Sequence, residues 1–394
     1  MSTLSCNVCG GRLGPCLYES EGGRSLTSLC QVRPGTTRVH ACPSCGHLQT
    51  EEMPDAAAFY ESDYGILVDS EEEDQIYELA ADGSPVYRTA HQVKVVLDKV
   101  ALPPGALLLD CGCAKSSTIK ALVAQRPDVV PHLFDVSARY IPFWEKFVKP
   151  EHWAVHEMPA HWQGRFDVVT SFFSMEHMVR PADSLRQMAA VLKPGGVFYG
   201  IVPNVATNVA DFIVLDHVNH FSETSLRHLL QAVGLEVEAI DAQAHRGAFV
   251  VVARRVAGAV APLPERFPER FAEGVKASLA RFDDMATFWR TAAERVRAQE
   301  ASIDPTEPIA IYGAGFYGAF IASCLRHPER IVCHLDQNAF LQGRQLHGRP
   351  IVPPAARPAH VATVWVGLNP VHARQVVAGV PSLAAPGVRL FHLE

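Results

Sequence analysis

Residues 105–114 read GALLLDCGCA, and residues 116–125 continue as SSTIKALVAQ. An apolar run ending in an acid and a turn of small residues reads as a buried strand, and the spacing after it is helical. The pattern then repeats along the chain. VPHLFDVS (130–137) predicts a second strand ending in Asp135, and RFDVVTSFF (165–173) a third of the kind buried on both faces. DSLRQMAAVLKPGG (183–196) predicts a helix closed by Pro and Gly, leading into the strand VFYGIVP (197–203). Such alternation implies an α/β domain built on an open parallel sheet, here over 76–255. Ligands of these sheets lie beyond the carboxyl ends of the strands, so the polar residues there are the first site candidates.

The chain around this domain is long, 394 residues, and two or three domains are expected. Apolar residues make up 48% and charged ones 20%, a soluble globular composition. The net charge of −7, with no basic block, argues against a nucleic-acid partner. MSTLSCNVCG lacks a charged-then-apolar leader pattern and no run approaches a spanning length, so a cytoplasmic protein without membrane contact is the expectation.

Two Cys-x-x-Cys pairs stand in the first block, 1–75: Cys6/Cys9 in CNVCGG and Cys42/Cys45 in CPSCGH. Glycine follows the second cysteine of each pair and permits a tight turn beneath a metal. Four thiolates in this pattern suit a structural zinc ion, which would stand in for the core so short a segment lacks. Cys16 and Cys30 are spare: they read as buried thiols, with alternative metal ligands the weaker reading. The acidic run Glu71–Asp74 reads as the solvated start of a helix. Tyr60 and Tyr64 are either core or reach a neighbouring site.

After 255 a helical linker spans 256–300, where Phe267, Phe271, Val275, Leu279, Phe282, Met285 and Trp289 recur at steps of three and four. One packed apolar stripe follows from that spacing. In 301–394, PIAIYGAGFYGAFIASCL gives strand, Gly-x-Gly-x-x-Gly (Gly313, Gly315, Gly318) and helix, and Asp336 ends the next strand, RIVCHLD. A second, smaller Rossmann-like domain is expected, with Gly313, Gly315, Tyr317 and Asp336 as candidate contacts for a diphosphate or nucleotide. Hydride transfer to a nicotinamide is the weaker reading of this fingerprint, and a purely structural domain the competitor.

Residues 107–196 resemble the class I S-adenosylmethionine-dependent methyltransferases. LLLDCGCAKS (107–116) matches the first motif of that fold through Asp110 and Gly112, while Ala114 and Lys115 depart from its glycines. LFDVS places Asp135 where the family's ribose-binding acid stands. FDVVTSFFSMEHM and VLKPGG follow in the family's order. The resemblance implies S-adenosylmethionine as cofactor, with Asp110, Gly112, Cys113, Asp135, Val136 and Ser174 as contacts and Lys115 turned away. The three-block layout is similar to the zinc-containing sugar-nucleotide C-methyltransferases, which act on nucleoside-diphosphate-linked ketosugars. That likeness implies a small-molecule acceptor and puts His177, in MEHM, and the pair Asp216-His217, in DHVNHFS (216–222), at the chemistry. Asn204 is a further candidate substrate contact.

C-methylation needs a base to form an enolate, and histidine has the appropriate pKa. His217 is expected as base, with Asp216 as a guess for the group that orients it. His177 would assist at the enolate oxygen, and His220 is either a substrate contact or a packed ring. O-methylation could use the same residues. A divalent ion on Asp216, His217 and His220 is a weaker reading, and a non-catalytic module retaining the fold is the remaining alternative.

Overall fold

The computed structural model describes residues 4–80, 82–256 and 269–393. They form two compact units that interleave along the chain. One comprises 1–16, 39–211 and 216–281, and the other 17–38, 212–215 and 282–394. The units therefore do not follow the sequential blocks, because the segment between the two cysteine pairs contributes most of its length to the second unit.

The first unit is built on seven strands: β1 (Leu107–Cys111), β2 (Val130–Asp135), β3 (Trp153–Val155), β4 (Phe166–Phe172), β5 (Leu192–Pro203), β6 (Leu235–Asp241) and β7 (Ala248–Arg255). Their order is β3-β2-β1-β4-β5-β7-β6. The first five are parallel, and β7 joins β5 and β6 antiparallel. The chain reverses direction between β1 and β4, the point where doubly wound sheets open onto a ligand.

Strand residues alternate between two cores, which explains why the sequence is apolar throughout. Leu108, Val168 and Val250 face helices α1 (Arg88–Lys99) and α2 (Ser117–Gln125), meeting Val93, Val96, Ile119 and Leu122. Leu109, Val169 and Val251 face α3 (Pro181–Val191) and α4 (Glu223–Ala232), meeting Leu185, Met188, Leu226 and Leu229. Cys6, Cys42 and Cys45 belong to this second core. A short strand at Asn219–His220 pairs antiparallel with Leu48–Thr50 and joins the DHVNHFS segment to the cysteine module.

Helix α5 (Ala272–Ala301) carries the apolar stripe, with Val275, Phe282, Met285 and Trp289 buried. Phe267 lies outside the described residues. The second unit holds a six-stranded sheet, β8 (Ile309–Tyr312), β9 (Ile331–Leu335), β10 (Gln345–Leu346), β11 (Arg349–Val352), β12 (Thr363–Val366) and β13 (Arg389–His392), ordered β10-β11-β9-β8-β12-β13. All pairings but β10–β11 are parallel. A Cβ on Gly313 or Gly318 would overlap the backbone, so the fingerprint glycines serve close packing of helix α6 (Phe316–Cys324) on the sheet. Asp336 accepts from the amides of Ala314 and Asn338, both 2.8 Å, and Tyr317 lies 6.3 Å from the Trp289 ring, stacked. Among the described residues no helix is long and apolar enough to cross a membrane.

Candidate functional site

A cavity of about 430 Å³ opens at the carboxyl ends of β1, β2 and β4. Asp110, Gly112, Cys113, Asp135, Val136, Ser174, His177, Tyr60 and Tyr64 all line it. Asp110 is buried at the end of β1 and accepts from Thr170 Oγ1 (2.8 Å) and Ser116 Oγ (3.1 Å). Burial pushes its carboxyl up to about 7. Asp135 ends β2, and its two oxygens accept from the amides of Ala114 (2.8 Å) and Ser137 (3.0 Å). Gly112 has φ +68°, and a Cβ there would sit 2.6 Å from Ser174. The Ser174 hydroxyl is 2.6 Å from that of Ser171. Val136 is 53% exposed, an apolar side chain left open at the cavity.

The departures from a glycine-rich loop now have a physical account. Ala114 (φ 45°) and Ser116 (φ 56°) hold the left-handed backbone that glycine usually supplies, a conformation costing about 1 kcal/mol or more per residue. Lys115 borders the cavity, but its ammonium is spent on the backbone beside it. It is buried, and its ammonium donates to the carbonyls of Ser70 (3.0 Å) and Glu73 (2.9 Å). The acidic run is correspondingly not a helix start. Glu71 pairs with Lys120 and Lys146, and buried Glu73 accepts from the Asp69 amide (3.0 Å). This segment, tied down by lysines, brings Ile66, Leu67 and Asp74 to the cavity wall.

The chemistry-bearing cluster lies beside this cavity. Tyr60 donates to the Asp216 carbonyl (2.8 Å) and stands 2.9 Å from His177 Nδ1. His177 Nδ1 is also 3.0 Å from the Asp216 carbonyl, which fixes the proton on that nitrogen and leaves Nε2 bare. The rings of His177 and His217 are edge to face, 4.6 Å apart. His217 is not oriented by Asp216. Its Nδ1 meets Asp211 Oδ1 at 2.5 Å, while Asp216 Oδ2 is 3.6 Å from His177 Nδ1. Adjacent residues in an extended segment point apart, so the neighbour in sequence serves the other histidine.

Burial alone would lower His217, but the Asp211 charge and hydrogen bond outweigh it and hold the ring up, to about 9. His177 moves down, first through burial and then through the His217 charge. Glu176, fully buried, is pushed up to about 8 by burial, and its Oε2 has no protein partner.

Several expectations are corrected here. His220 does not reach the cavity: its ring is fully buried, with Nδ1 on Asp211 Oδ2 and Nε2 on Thr50 Oγ1, both 2.8 Å. Asp216, His217 and His220 therefore do not converge as metal ligands. The triad of ligand atoms within 4.8 Å of one another is Glu176, His177 and His217, which could hold a divalent ion. Asn204 follows β5 and accepts from the Ala206 amide (3.1 Å), in a turn outside the cavity lining. Cys16 is exposed and Cys30 half-buried, so neither is the buried thiol expected.

Two residues of the candidate site escaped the sequence reading. Asp211 sits in the apolar run ADFIVL, where a lone acid was the available signal. Glu176 precedes the histidine in MEHM and was passed over for it.

In the cysteine module, Cys6 and Cys45 sulfurs are 3.6 Å apart and Cys9 and Cys42 sulfurs 3.5 Å, with all four within 4.8 Å. Tetrahedral zinc with Zn–S near 2.3 Å needs sulfurs about 3.8 Å apart, so the set fits. Gly10 (φ +70°) and Gly46 (φ +65°) make the turns beneath it, and their amides return to Cys6 (2.9 Å) and Cys42 (3.0 Å).

Known proteins similar to this chain match it mainly over the seven-stranded sheet. Residues 87–240 match the family described as a methyltransferase domain. Over 109 residues the chain is 34% identical to ubiquinone biosynthesis O-methyltransferases of Xanthomonas campestris pv. campestris, 26% of this chain and 45% of theirs, so it spans less than half of those relatives. Similar solved structures include a SAM-dependent methyltransferase from Aquifex aeolicus (19% identity, TM-score 0.35, 42% of this chain and 89% of that one). Another is the CurJ carbon methyltransferase (14%, TM-score 0.34, 43% and 55%). The segment matched by the methyltransferase-domain family, residues 87–240, is the one that carries β1 to β5 and the acids at their ends.

Proposed function

We propose that the protein transfers the methyl group of S-adenosylmethionine to carbon in a small acceptor, a nucleoside-diphosphate-linked ketosugar. The observation that carries this reading is the pair of histidines, 4.6 Å apart and each with its own acidic partner, beside a cavity ending in Asp135. Asp135 would accept from the cofactor ribose, Gly112 lets the cofactor approach the backbone, and Val136 would pack on its base. The cofactor supplies an electrophilic methyl. The acceptor must supply a carbanion, formed by removing a proton beside its ketone.

The roles differ from those the motif suggests. Near neutral pH His217 carries a proton and His177 does not. His177 Nε2 is therefore the base, and the His217 imidazolium is the charge that stabilises the developing enolate oxygen. The ketosugar assignment draws support from the block layout of cysteine module, methyltransferase domain and Gly-x-Gly-x-x-Gly domain. A second reading, O-methylation of a small acceptor, is favoured by the partial identity to O-methyltransferases.

The test is to incubate the protein in deuterated water with S-adenosylhomocysteine and a nucleoside-diphosphate 4-ketosugar. Exchange of the proton beside the ketone, lost in His177→Ala, is the expected result. No exchange, with methyl transfer to a hydroxyl of any acceptor, would replace carbon by oxygen.

A further inference from the structure

Every residue that lines the first cavity belongs to the first unit. A second cavity, of about 370 Å³, is lined wholly by residues of the second unit and shares none with the first. That volume falls in the range of about 300–1,000 Å³ usual for small-molecule sites. Its walls come from the paired strands Arg24–Leu26 and Val32–Pro34, from the α5 face that carries Trp289 and Ala293, and from the α6 face that carries Phe320 and Cys324. Neither the Gly-x-Gly-x-x-Gly glycines nor Asp336 line it. Leu26 is tied to the stretch between Asp211 and Asp216: it bridges Val214, and its carbonyl accepts from the Leu215 amide (2.9 Å). Ile213, in the same stretch, lines the cavity.

The interior is apolar and aromatic, from Tyr18, Leu26, Ile213, Trp289 and Phe320, all buried. Its polar groups are donors. Burial pushes the Cys324 thiol up to about 12, which keeps it neutral. The Thr37 hydroxyl, also at the cavity, is buried and meets no partner among the described residues. A buried hydroxyl without a partner is unfavourable, and a ligand oxygen would relieve it. Charge is confined to three arginines and two glutamates. Glu21 is taken by Arg297 (2.8 Å) and Glu19 by Arg38 (2.9 Å). Arg24 and Arg290 remain: both are exposed, and among the described residues neither forms an ion pair. Arg290 donates to the Ala286 carbonyl (3.2 Å) and the Thr287 hydroxyl (3.1 Å). Glu294, one turn along α5, is exposed and pairs with neither arginine.

We propose that this cavity is a second ligand site and takes a small organic anion, with an apolar ring system inside and the acid group held at Arg24 and Arg290. Guanidinium groups suit planar oxyanions, and apolar walls reward the body of the ligand. Two sources share this chemistry, a free regulatory anion and the charged end of the acceptor. No residue here takes part in the methyl-transfer reading, which can fail without touching this site.

The experiment is fluorescence titration of the full chain with two probes of nearly one shape: 8-anilinonaphthalene-1-sulfonate, an anion, and N-phenyl-1-naphthylamine, its uncharged parent. Ala293→Phe fills the cavity from α5 and identifies the signal that belongs to it, because binding at the first cavity survives. In the double variant Arg24→Gln, Arg290→Gln the affinity for the anion should fall roughly fivefold to thirtyfold, with the neutral probe within about twofold of wild type. Both arginines are exposed, so this variant decides the matter even where Ala293→Phe does not fold. Equal loss for both probes, or loss for neither, overturns the proposal. So does wild-type binding of both probes in a folded Ala293→Phe. Displacement of the sulfonate by a nucleoside-diphosphate ketosugar would assign the site to the acceptor, and binding that the ketosugar leaves untouched would assign it to a free anion.

Discussion

His217 and His177 differ in state because one carboxylate is shared unevenly. Asp211 bonds both His217 and His220, and its own carboxyl is held well below the ordinary range despite its burial, by the charges of the two rings. His220 has no outlet to the cavity, and the Asp211 charge acts most strongly on His217 and at longer range on His177 and Glu176. Turnover should therefore fall as pH rises through about 9, where His217 loses its proton, and fall again on the acid side as His177 gains one. A kcat profile with no alkaline limb would remove His217 as the charged partner. The same shift has a stability consequence. A ring whose folded pKa is raised stabilises fully below its unfolded value near 6.5, and that contribution is lost as pH rises through the folded value, about 9. The Tm gap between wild type and His217→Gln should be widest at pH 6 and close towards pH 10. Asp211→Asn should cost at least tenfold in kcat while leaving cofactor affinity within about twofold, and a reversed pattern would make Asp211 a binding residue.

Among the elements, the segment from Tyr64 to Asp74 has little regular structure of its own, yet it forms one wall of the cavity. Lys115 holds it, reaching out of a loop that would otherwise be glycine-rich. Its stem crosses buried space, and its ammonium ties down two carbonyls three residues apart. Lys115→Met keeps the stem and removes the donors. We expect a stability loss of about 2–4 kcal/mol, faster proteolysis within 64–75, and weaker cofactor binding. Unchanged proteolysis would show that Glu71, with its two lysines, suffices to hold the segment. The DHVNHFS segment acts as a connector in a similar way. Asn219 accepts from Asn7 Nδ2 (3.1 Å), lies 3.3 Å from His47 Nε2, and donates to the carbonyls of Met175 (3.2 Å) and Met178 (2.6 Å). One amide thus links the cysteine module to the turn that carries Glu176 and His177.

For the molecule as a whole, that link joins the cysteine module to the candidate site. Metal analysis should find about one zinc per chain. Two would place an ion on Glu176, His177 and His217 and displace the acid/base reading. Stripping the zinc should unfold the module and abolish turnover while S-adenosylhomocysteine still binds, because Asp135 and Gly112 are held by the sheet rather than by the module. Loss of both functions together would mean that the sheet itself depends on the metal. Asn219→Ala should reproduce the loss of turnover with zinc retained.

The strand rhythm, the acids at the ends of β1 and β2, the paired cysteines and the second Rossmann-like fingerprint were legible along the chain. Each is a local pattern: burial on two faces demands continuous apolar runs, and a tight turn demands glycine or its neighbours in kind. The identity of His217's partner was not legible. It lies six residues away rather than one, since an extended segment sends adjacent side chains in opposite directions and folds the Asp211 turn back beneath them. Nor could spacing show that His220 is spent on Thr50, that the acidic run forms no helix, or that Arg88 lines the cavity. Local pattern determined which groups are present and on which elements. Tertiary packing decided which of them share a proton, because a charge-assisted hydrogen bond depends on ångström separations that residue spacing does not encode.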